Sequence, residues 1–471
     1  MNKTVSTDLS ASVNLIREIF PEVTASDIKT DFLKVGGREA MLCFINGSTD
    51  TDAMIQIEKN LLSASSSFKA MSELMRECIP YNDKKEEKDV NKIVSALLAS
   101  MSVLFVDGFD SAVILDTKKY PSRGISEPEK NKTLRGPRDG FSESVYTNTA
   151  LIRRRIKSPD LSFEAFDIGS ATKTRVILAY MKGKAGEELL MRIRDRLSNM
   201  NVKSLTLSQQ TITDNLFGKS LIKKLNPFPK VRYVERPDTA ASMLMEGKIA
   251  ILCDTTPSAI FLPVTLYDMM EETDDYYFPP VTASYLRLLR VFMLFLSVFI
   301  SPLWLLCLTY SHLLPESLTF LLVDSECFIP VWLQLITVEF MIDALKIASL
   351  NTPDTISNSL SVVSGLLLSD FAVSAGLLVP QTILYSAIAS IANFIPTNYE
   401  LGYTFKFWRI TLIVGIATFG FTGFIIAVLL FLVILLLNKT ADNKNYLFPF
   451  DPKNKKGIIK FFIRTYEGNE K

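Results

Sequence analysis

The sequence predicts an α/β cytosolic region of two lobes followed by an α-helical polytopic membrane domain. Charge is spread unevenly. Residues 281–471 carry 13 Lys+Arg and 12 Asp+Glu, about 13% of that stretch, whereas charged residues make up about 27% of residues 1–280. Within the charge-poor part, Val291–Tyr310 (VFMLFLSVFISPLWLLCLTY) is uncharged over 20 residues, which as a helix spans about 30 Å, the thickness of a bilayer core. The charge-rich part instead alternates short apolar runs with amphipathic stretches, the pattern of mixed strands and helices.

In chain order, Asp31–Ile45 reads as a hairpin around Gly36-Gly37, and Thr51–Ala64 and Val90–Met101 read as amphipathic helices. Ser102–Asp116 reads as a second hairpin about Asp107-Gly108. Thr117–Gly140 is polar and proline-bearing, a long loop or lobe boundary. Beyond it, Ser142–Lys157 and Glu187–Ser198 suit helices, and Thr174–Met181 and Ile249–Cys253 suit buried strands. No repeat is visible in the residues themselves. The predicted division is 1–120 and 121–280 for the two lobes, 281–440 for the membrane domain and 441–471 for a cytosolic tail.

Five segments are candidates for the membrane: Val291–Tyr310, Pro330–Ala348, Ile356–Val379, Thr382–Ile395 and Ile410–Leu437. The last is 28 residues without a charge, about 42 Å if straight, so it must tilt, emerge, or bend at Gly415, Gly420 or Gly423. Pro302 predicts a kink in the first. Pro330–Ala348 puts Glu339, Asp343 and Lys346 on one stripe, opposite Leu333, Phe340, Met341 and Ala344. Arg287 and Arg290 before the first span and the basic tail after the last place both ends in the cytoplasm, hence an even number of crossings. Lys406 and Arg409, just ahead of the last span, oppose that assignment. Met1–Asp27 has no apolar run of signal-peptide type, so the amino-terminal region is expected to stay cytosolic.

Composition narrows the chemistry. Lys+Arg 51 against Asp+Glu 50 leaves no basic field for nucleic acid. A single histidine disfavours histidine-built zinc sites and Ser-His or Cys-His catalysis. The five cysteines form no CxxC pair and suit reduced packing. Gly169–Thr174 is similar to a phosphate loop but lacks the glycine before Lys173. Arg153, Arg154 and Arg155 could clamp an anion, though at a helix end they also complement the dipole, or grip lipid headgroups or a neighbouring subunit. Neither an enzyme nor a cofactor is expected.

Several strings then resemble one family. Arg135-Gly136-Pro137-Arg138-Asp139-Gly140-Phe141, Asn148 and Leu151–Ile156 resemble the signature of the A subunits of GerA-type spore germination receptors. Asn226–Pro229, Glu235-Arg236-Pro237-Asp238, Glu246–Leu252, Pro257, Asp275–Tyr277, Pro302, His312, Pro315 and Asn398–Gly402 continue the match in order. The resemblance implies a two-lobed cytosolic region and a multi-helix membrane domain. It further implies a ring of five copies around an ion pore in the spore inner membrane. Phe328–Pro330, Asn351–Pro353 and Tyr399–Gly402 look closest to one branch, which the resemblance implies amplifies ion release together with a small membrane partner.

A cation pore needs charge or carbonyls facing water inside an apolar wall, since a carboxylate facing lipid costs about 2.5–3.5 kcal/mol. Asp370 is the charge of its segment and shares a helical face with Ser359, Val363, Leu366 and Ser374, while Ser357, Ser361, Ser364, Ala372 and Ala375 form a small-residue packing face. The resemblance implies that the family usually carries an amide at the position of Asp370 and an acid at that of Ser374. Asp370 could instead be protonated or bonded to a neighbouring helix. Glu339 and Asp343 could ring a pore mouth, with Lys346 neutralising part of their charge, or lie hydrated on an interfacial helix. Val363 and Leu366 could close the pore by excluding water. The expected function is a homo-oligomeric channel subunit passing monovalent cations during germination. The alternatives are an A subunit acting with receptor B and C subunits, and a non-conducting membrane scaffold.

Overall fold

The computed structural model describes residues 4–64, 68–79, 83–120, 136–205, 208–217, 226–272, 274–323, 328–352, 365, 371–395 and 398–448. The chain forms two compact units. One comprises Met1–Ser220 with Val231–Pro263, and the other Leu221–Lys230 with Val264–Lys471.

The first unit contains both lobes. Its elements are α1 (Leu9–Ile19), β1 (Ile28–Val35), β2 (Arg38–Ile45), α2 (Thr51–Leu62), α3 (Met71–Cys78), β3 (Lys84–Glu87), α4 (Val90–Leu98), β4 (Ser102–Val106) and β5 (Ala112–Leu115). There follow α5 (Val145–Arg155), β6 (Leu161–Ile168), β7 (Thr174–Met181), α6 (Glu187–Ser198), α7 (Ser208–Phe217), β8 (Arg232–Val234), α8 (Pro237–Met245), β9 (Ile249–Cys253) and β10 (Ala259–Leu262). The strands pair antiparallel in two five-stranded sheets, ordered β1-β2-β4-β5-β3 and β6-β7-β9-β10-β8. The two orders are the same under a shift of five strands, and the helices fall between corresponding strands. The repeat that the residues conceal is therefore present in the topology. It escapes a reading of the sequence because strand order depends on burial pattern, which many side chains satisfy.

Local chemistry explains the first lobe. Gly36 and Gly37 take φ of 56° and 80°, as a two-residue hairpin turn requires, and pair Val35 with Arg38. Asp8, Asp50 and Asp89 cap α1, α2 and α4 by accepting from the first free backbone N–H groups. Strands β2 and β4 are apolar on both faces. Leu42 and Leu104 meet Ile57, Leu61 and Leu74 of α2 and α3, whereas Cys43 and Val103 meet Leu9, Ile16, Ile93 and Leu97 of α1 and α4. The sheet is thus covered on both sides, in three layers. The Gly169–Thr174 stretch is the turn of the β6–β7 hairpin, closed by the Ile168–Thr174 pair, and not the strand-to-helix junction that a phosphate loop needs.

The second unit holds α9 (Leu266–Met270), α10 (Asp274–Tyr277), α11 (Pro280–Thr309), α12 (Val331–Leu350), α13 (Pro380–Asn393) and α14 (Tyr399–Leu437). Helices α11 and α14 are long and apolar enough to cross a membrane. Helix α11 continues through Pro302. Helix α14 does not run straight. At Gly420 the backbone leaves helical geometry, with φ 60° and ψ −136°, and the chain turns back on itself. Trp408 and Phe431 would be about 35 Å apart along one axis, yet their ring centroids lie 5.2 Å apart. Gly415 faces Gly423 so closely that a Cβ on Gly415 would sit 2.9 Å from the Gly423 carbonyl oxygen. The last apolar segment is a helical hairpin with arms 399–419 and 421–437, about 31 Å and 25 Å long. Of the sequence options, a bend at Gly420 is the one realised, as a full reversal.

Candidate functional site

Two family strings meet in the first unit. Buried Asn148 on α5 holds the loop ahead of its own helix, accepting from Ser142 N (2.8 Å) and donating to Ser142 O (2.6 Å). Phe141 N donates to Glu235 O (2.8 Å), and buried Arg236 donates to Pro137 O (2.7 Å) and to both oxygens of Asp238. Pro237 opens α8, where its missing N–H costs nothing. Gly136, with φ 109°, and the exposed Pro137 and Arg138 are thus presented on a clasped loop. Arg135 lies outside the described residues.

The three arginines have separate in-chain partners. Arg153 is buried and forks onto Asp27 (2.8 and 3.2 Å) while donating to Ser158 O and Leu161 O, so it ties α5 to the segment before β1. Arg154 lies over the Tyr120 ring, and Arg155 reaches both oxygens of Asp139 at 2.7 Å. Each guanidinium thus faces a carboxylate or a ring within the chain.

In the second unit the polar stripe of α12 faces inward. Glu339 is 1% exposed, whereas Phe340 is 63% exposed, and Met341, Ile347 and Leu350 also point outward. Arg409 on the first arm of α14 donates to Glu339 Oε2 (2.8 Å) and also to the carbonyls of Ser297 and Ala389. Lys406 lies 3.1 Å from Glu339 and 2.7 Å from Asp343, and donates to Glu339 O. Two acids and two bases therefore balance within one chain. Glu339 and Asp343, which the sequence left either at a pore mouth or hydrated on an interfacial helix, are compensated within the chain by Lys406 and Arg409 rather than by Lys346. Lys406 and Arg409 equally cease to be free topology charges.

Lys346 instead projects among three rings, with Nζ 4.8 Å from the centroid of Phe394 and 4.9 Å from those of Tyr399 and Tyr403. Each such contact contributes about 0.5–2 kcal/mol, depending on solvation. A cavity of about 30 Å³ opens beside it, lined by Asp343, Ser390, Asn393 and Lys406 among others. Gly402 permits this packing, since a Cβ there would lie 2.8 Å from Asn393 O.

Other contacts fasten the helices. Asp275, in the family string Asp275–Tyr277, receives Arg287 (3.0 Å) and Arg290 (3.0 Å) at the start of α11. Burial first, and then Glu271, push the Tyr267 phenol beside them above its ordinary range. Buried Gln334 on α12 accepts from Val379 N and Thr382 Oγ1 at the start of α13. Tyr310 OH accepts from Phe421 N (3.0 Å) at the hairpin tip. Asn226–Pro229 receives the other end: Thr404 donates to Pro227 O, Tyr446 to Pro229 O (2.9 Å), and the Phe228 ring packs against Phe405 and Phe431.

Of the remaining pore candidates, Ser374 lies in the short helical turn Ala372–Ser374, where its hydroxyl donates to Phe371 O (3.2 Å). Asp370, Ser359, Val363 and Leu366 lie outside the described residues. The bases were the missed half of the charge cluster. Their spacing, Lys406 and Arg409 three apart, complements Glu339 and Asp343 four apart, a match between two helical stripes that could have been read.

The family model "Bacillus/Clostridium GerA spore germination protein" matches residues 14–468. The chain belongs to the GerA family. Among its relatives, stage V sporulation protein AF of Bacillus subtilis is 30% identical over 445 residues, covering 94% of this chain and 89% of the relative. Spore germination protein KA of Bacillus subtilis is 28% identical over 454 residues, covering 94% and 82%. The crystal structure of the N-terminal domain of the A subunit of the Bacillus megaterium spore germinant receptor GerK3 is 27% identical to this chain. It covers 56% of the chain and 97% of its own length at a TM-score of 0.43. The GerA relatives are spore germination and sporulation proteins, which supports a germination role. The two apolar helices are consistent with a membrane location.

Proposed function

We propose that this GerA-family chain is a subunit of a ring-shaped homo-oligomer, of five copies, that opens a path for monovalent cations across the spore inner membrane and amplifies ion release during germination. The observation that carries the reading is the inside-out helix α12. It buries Gln334 and Glu339 against other helices beside Leu335 and Val338, while Phe340, Met341, Ile347 and Leu350 are exposed, a more apolar outer surface than a soluble helix presents. Lipid is the solvent that suits such a surface. The charges described between the helices cancel in pairs, so water would be guided along a seam between copies rather than through one chain.

In this reading both chain ends face the cytoplasm. The hairpin supports it: Thr404 and Tyr446, at the open ends of the two arms, both meet residues 227–229, while the Gly420 tip meets Tyr310 at the far end of α11. Helices α12 and α13 run parallel, since Gln334 contacts Val379 near their starts and Lys346 contacts Phe394 near their ends.

Native mass measurement of the solubilised complex tests the assembly. A closed ring of five copies is expected, and a stable single or paired chain would contradict it. The comparable identity to spore germination protein KA supports a second reading, an A subunit that conducts only with receptor partners. Co-purification of further membrane subunits with the chain would favour it.

A further inference from the structure

Lys346 occupies an environment built for a cation but forms no ion pair among the described residues. The ring centroids of Phe394, Tyr399 and Tyr403 lie at nearly equal distances from its ammonium, 4.8, 4.9 and 4.9 Å. The neighbouring charges, Glu339 and Asp343 against Lys406 and Arg409, already balance. Beside the ammonium is a cavity of about 30 Å³, above the roughly 10–15 Å³ that one water needs. Asn393 lines it, and its buried Oδ1 has no hydrogen-bond partner among the described residues. Ring faces, a spare carbonyl and a balanced surround select ions that shed water easily and donate N–H bonds.

We propose that this aromatic cage is a binding site for small primary ammonium ligands, held in the resting chain by the side chain of Lys346 and opened when a ligand displaces it. Lys346 ends α12, and the three rings belong to the end of α13 and the start of α14. Exchange of occupant therefore releases a tie between these helices. The site does not depend on the chain conducting ions.

Equilibrium dialysis of the full-length chain in detergent against ¹⁴C-methylammonium tests the site. Lys346→Met, which empties the cage, is expected to bind the label at least tenfold more tightly than wild type. Adding Tyr403→Ala should remove that gain, and adding Tyr403→Phe should keep it. A Lys346→Met chain with wild-type gel-filtration behaviour and melting that binds no more tightly than wild type would overturn the proposal. Should that variant not accumulate, wild-type chain with ¹³C-labelled lysine answers instead, its Lys346 signal assigned with Lys346→Arg. The ring-shifted ε-CH₂ signal should move toward the position of solvated lysines with methylammonium chloride but not with sodium chloride. Equal movement with both salts, or none, would overturn it. Nanodiscs separate the sources of ligand: weaker label binding in phosphatidylethanolamine than in phosphatidylglycerol supports a lipid headgroup, and equal binding supports a soluble amine.

Discussion

At the scale of residues, the arginine triplet shows what a string of like charges becomes in a fold. Arg153 and Asp27 are both buried, and their fork satisfies two oxygens while two carbonyls take further guanidinium protons. Removing one partner of such a pair leaves the other charged and unsolvated, at about 3–5 kcal/mol. Arg153→Ala is therefore expected to lower the melting temperature of the first unit markedly, by thermal shift of the full chain, whereas Arg153→Met with Asp27→Asn should recover most of the loss. Thiol chemistry is equally local. Burial pushes Cys43, helped by Asp31, and Cys253 up to about 12, against about 8.5 when unfolded. The stability from keeping these thiols neutral is complete below about pH 8.5 and lost as pH climbs toward 12. Iodoacetamide at pH 8 should thus spare both in the native chain and modify them after denaturation; native-state labelling, read by mass spectrometry, would contradict their burial.

At the scale of elements, strands and helices of strong period were legible and their partnerships were not. The hairpins at Gly36-Gly37 and Asp107-Gly108 and the helices at Thr51, Val90 and Glu187 follow from turn glycines and amphipathic spacing. Helix Leu9–Ile19, whose Leu9, Val13 and Ile16 keep helical spacing, could have been read by the same rule, whereas the edge strand Lys84–Glu87 could not, because Lys-Lys-Glu-Glu carries no burial pattern at all. Such charges suit an exposed edge. Hydropathy also hid the reversal in Ile410–Leu437, since composition alone cannot separate one long span from two short arms. The reversal rests on Gly420, whose positive φ and lack of Cβ let Tyr310 OH approach. It has a direct consequence for accessibility. In a chain with its native cysteines replaced, Tyr399→Cys and Leu437→Cys should react with membrane-impermeant maleimide from the same side of sealed vesicles. Reaction from opposite sides would mean a single straight span.

At the scale of the whole molecule, a topologically duplicated α/β unit and a helical unit that buries Glu339, Lys406 and Arg409 make up one GerA-family chain. The drop in charge density and the ordered family strings made the order of an α/β region before a helical one readable from the chain. The in-chain cancellation of Glu339 and Asp343 was not, because it joins residues nearly seventy positions apart. Asp370, the other acidic candidate, lies outside the described residues. The proposed role then depends on ions moving, and rubidium-86 efflux from liposomes holding the purified full-length chain measures it most directly. A conducting ring predicts efflux above empty vesicles, with Asp370→Asn changing its rate severalfold while subunit count stays the same. Tight vesicles holding folded, ring-sized complexes would contradict the channel.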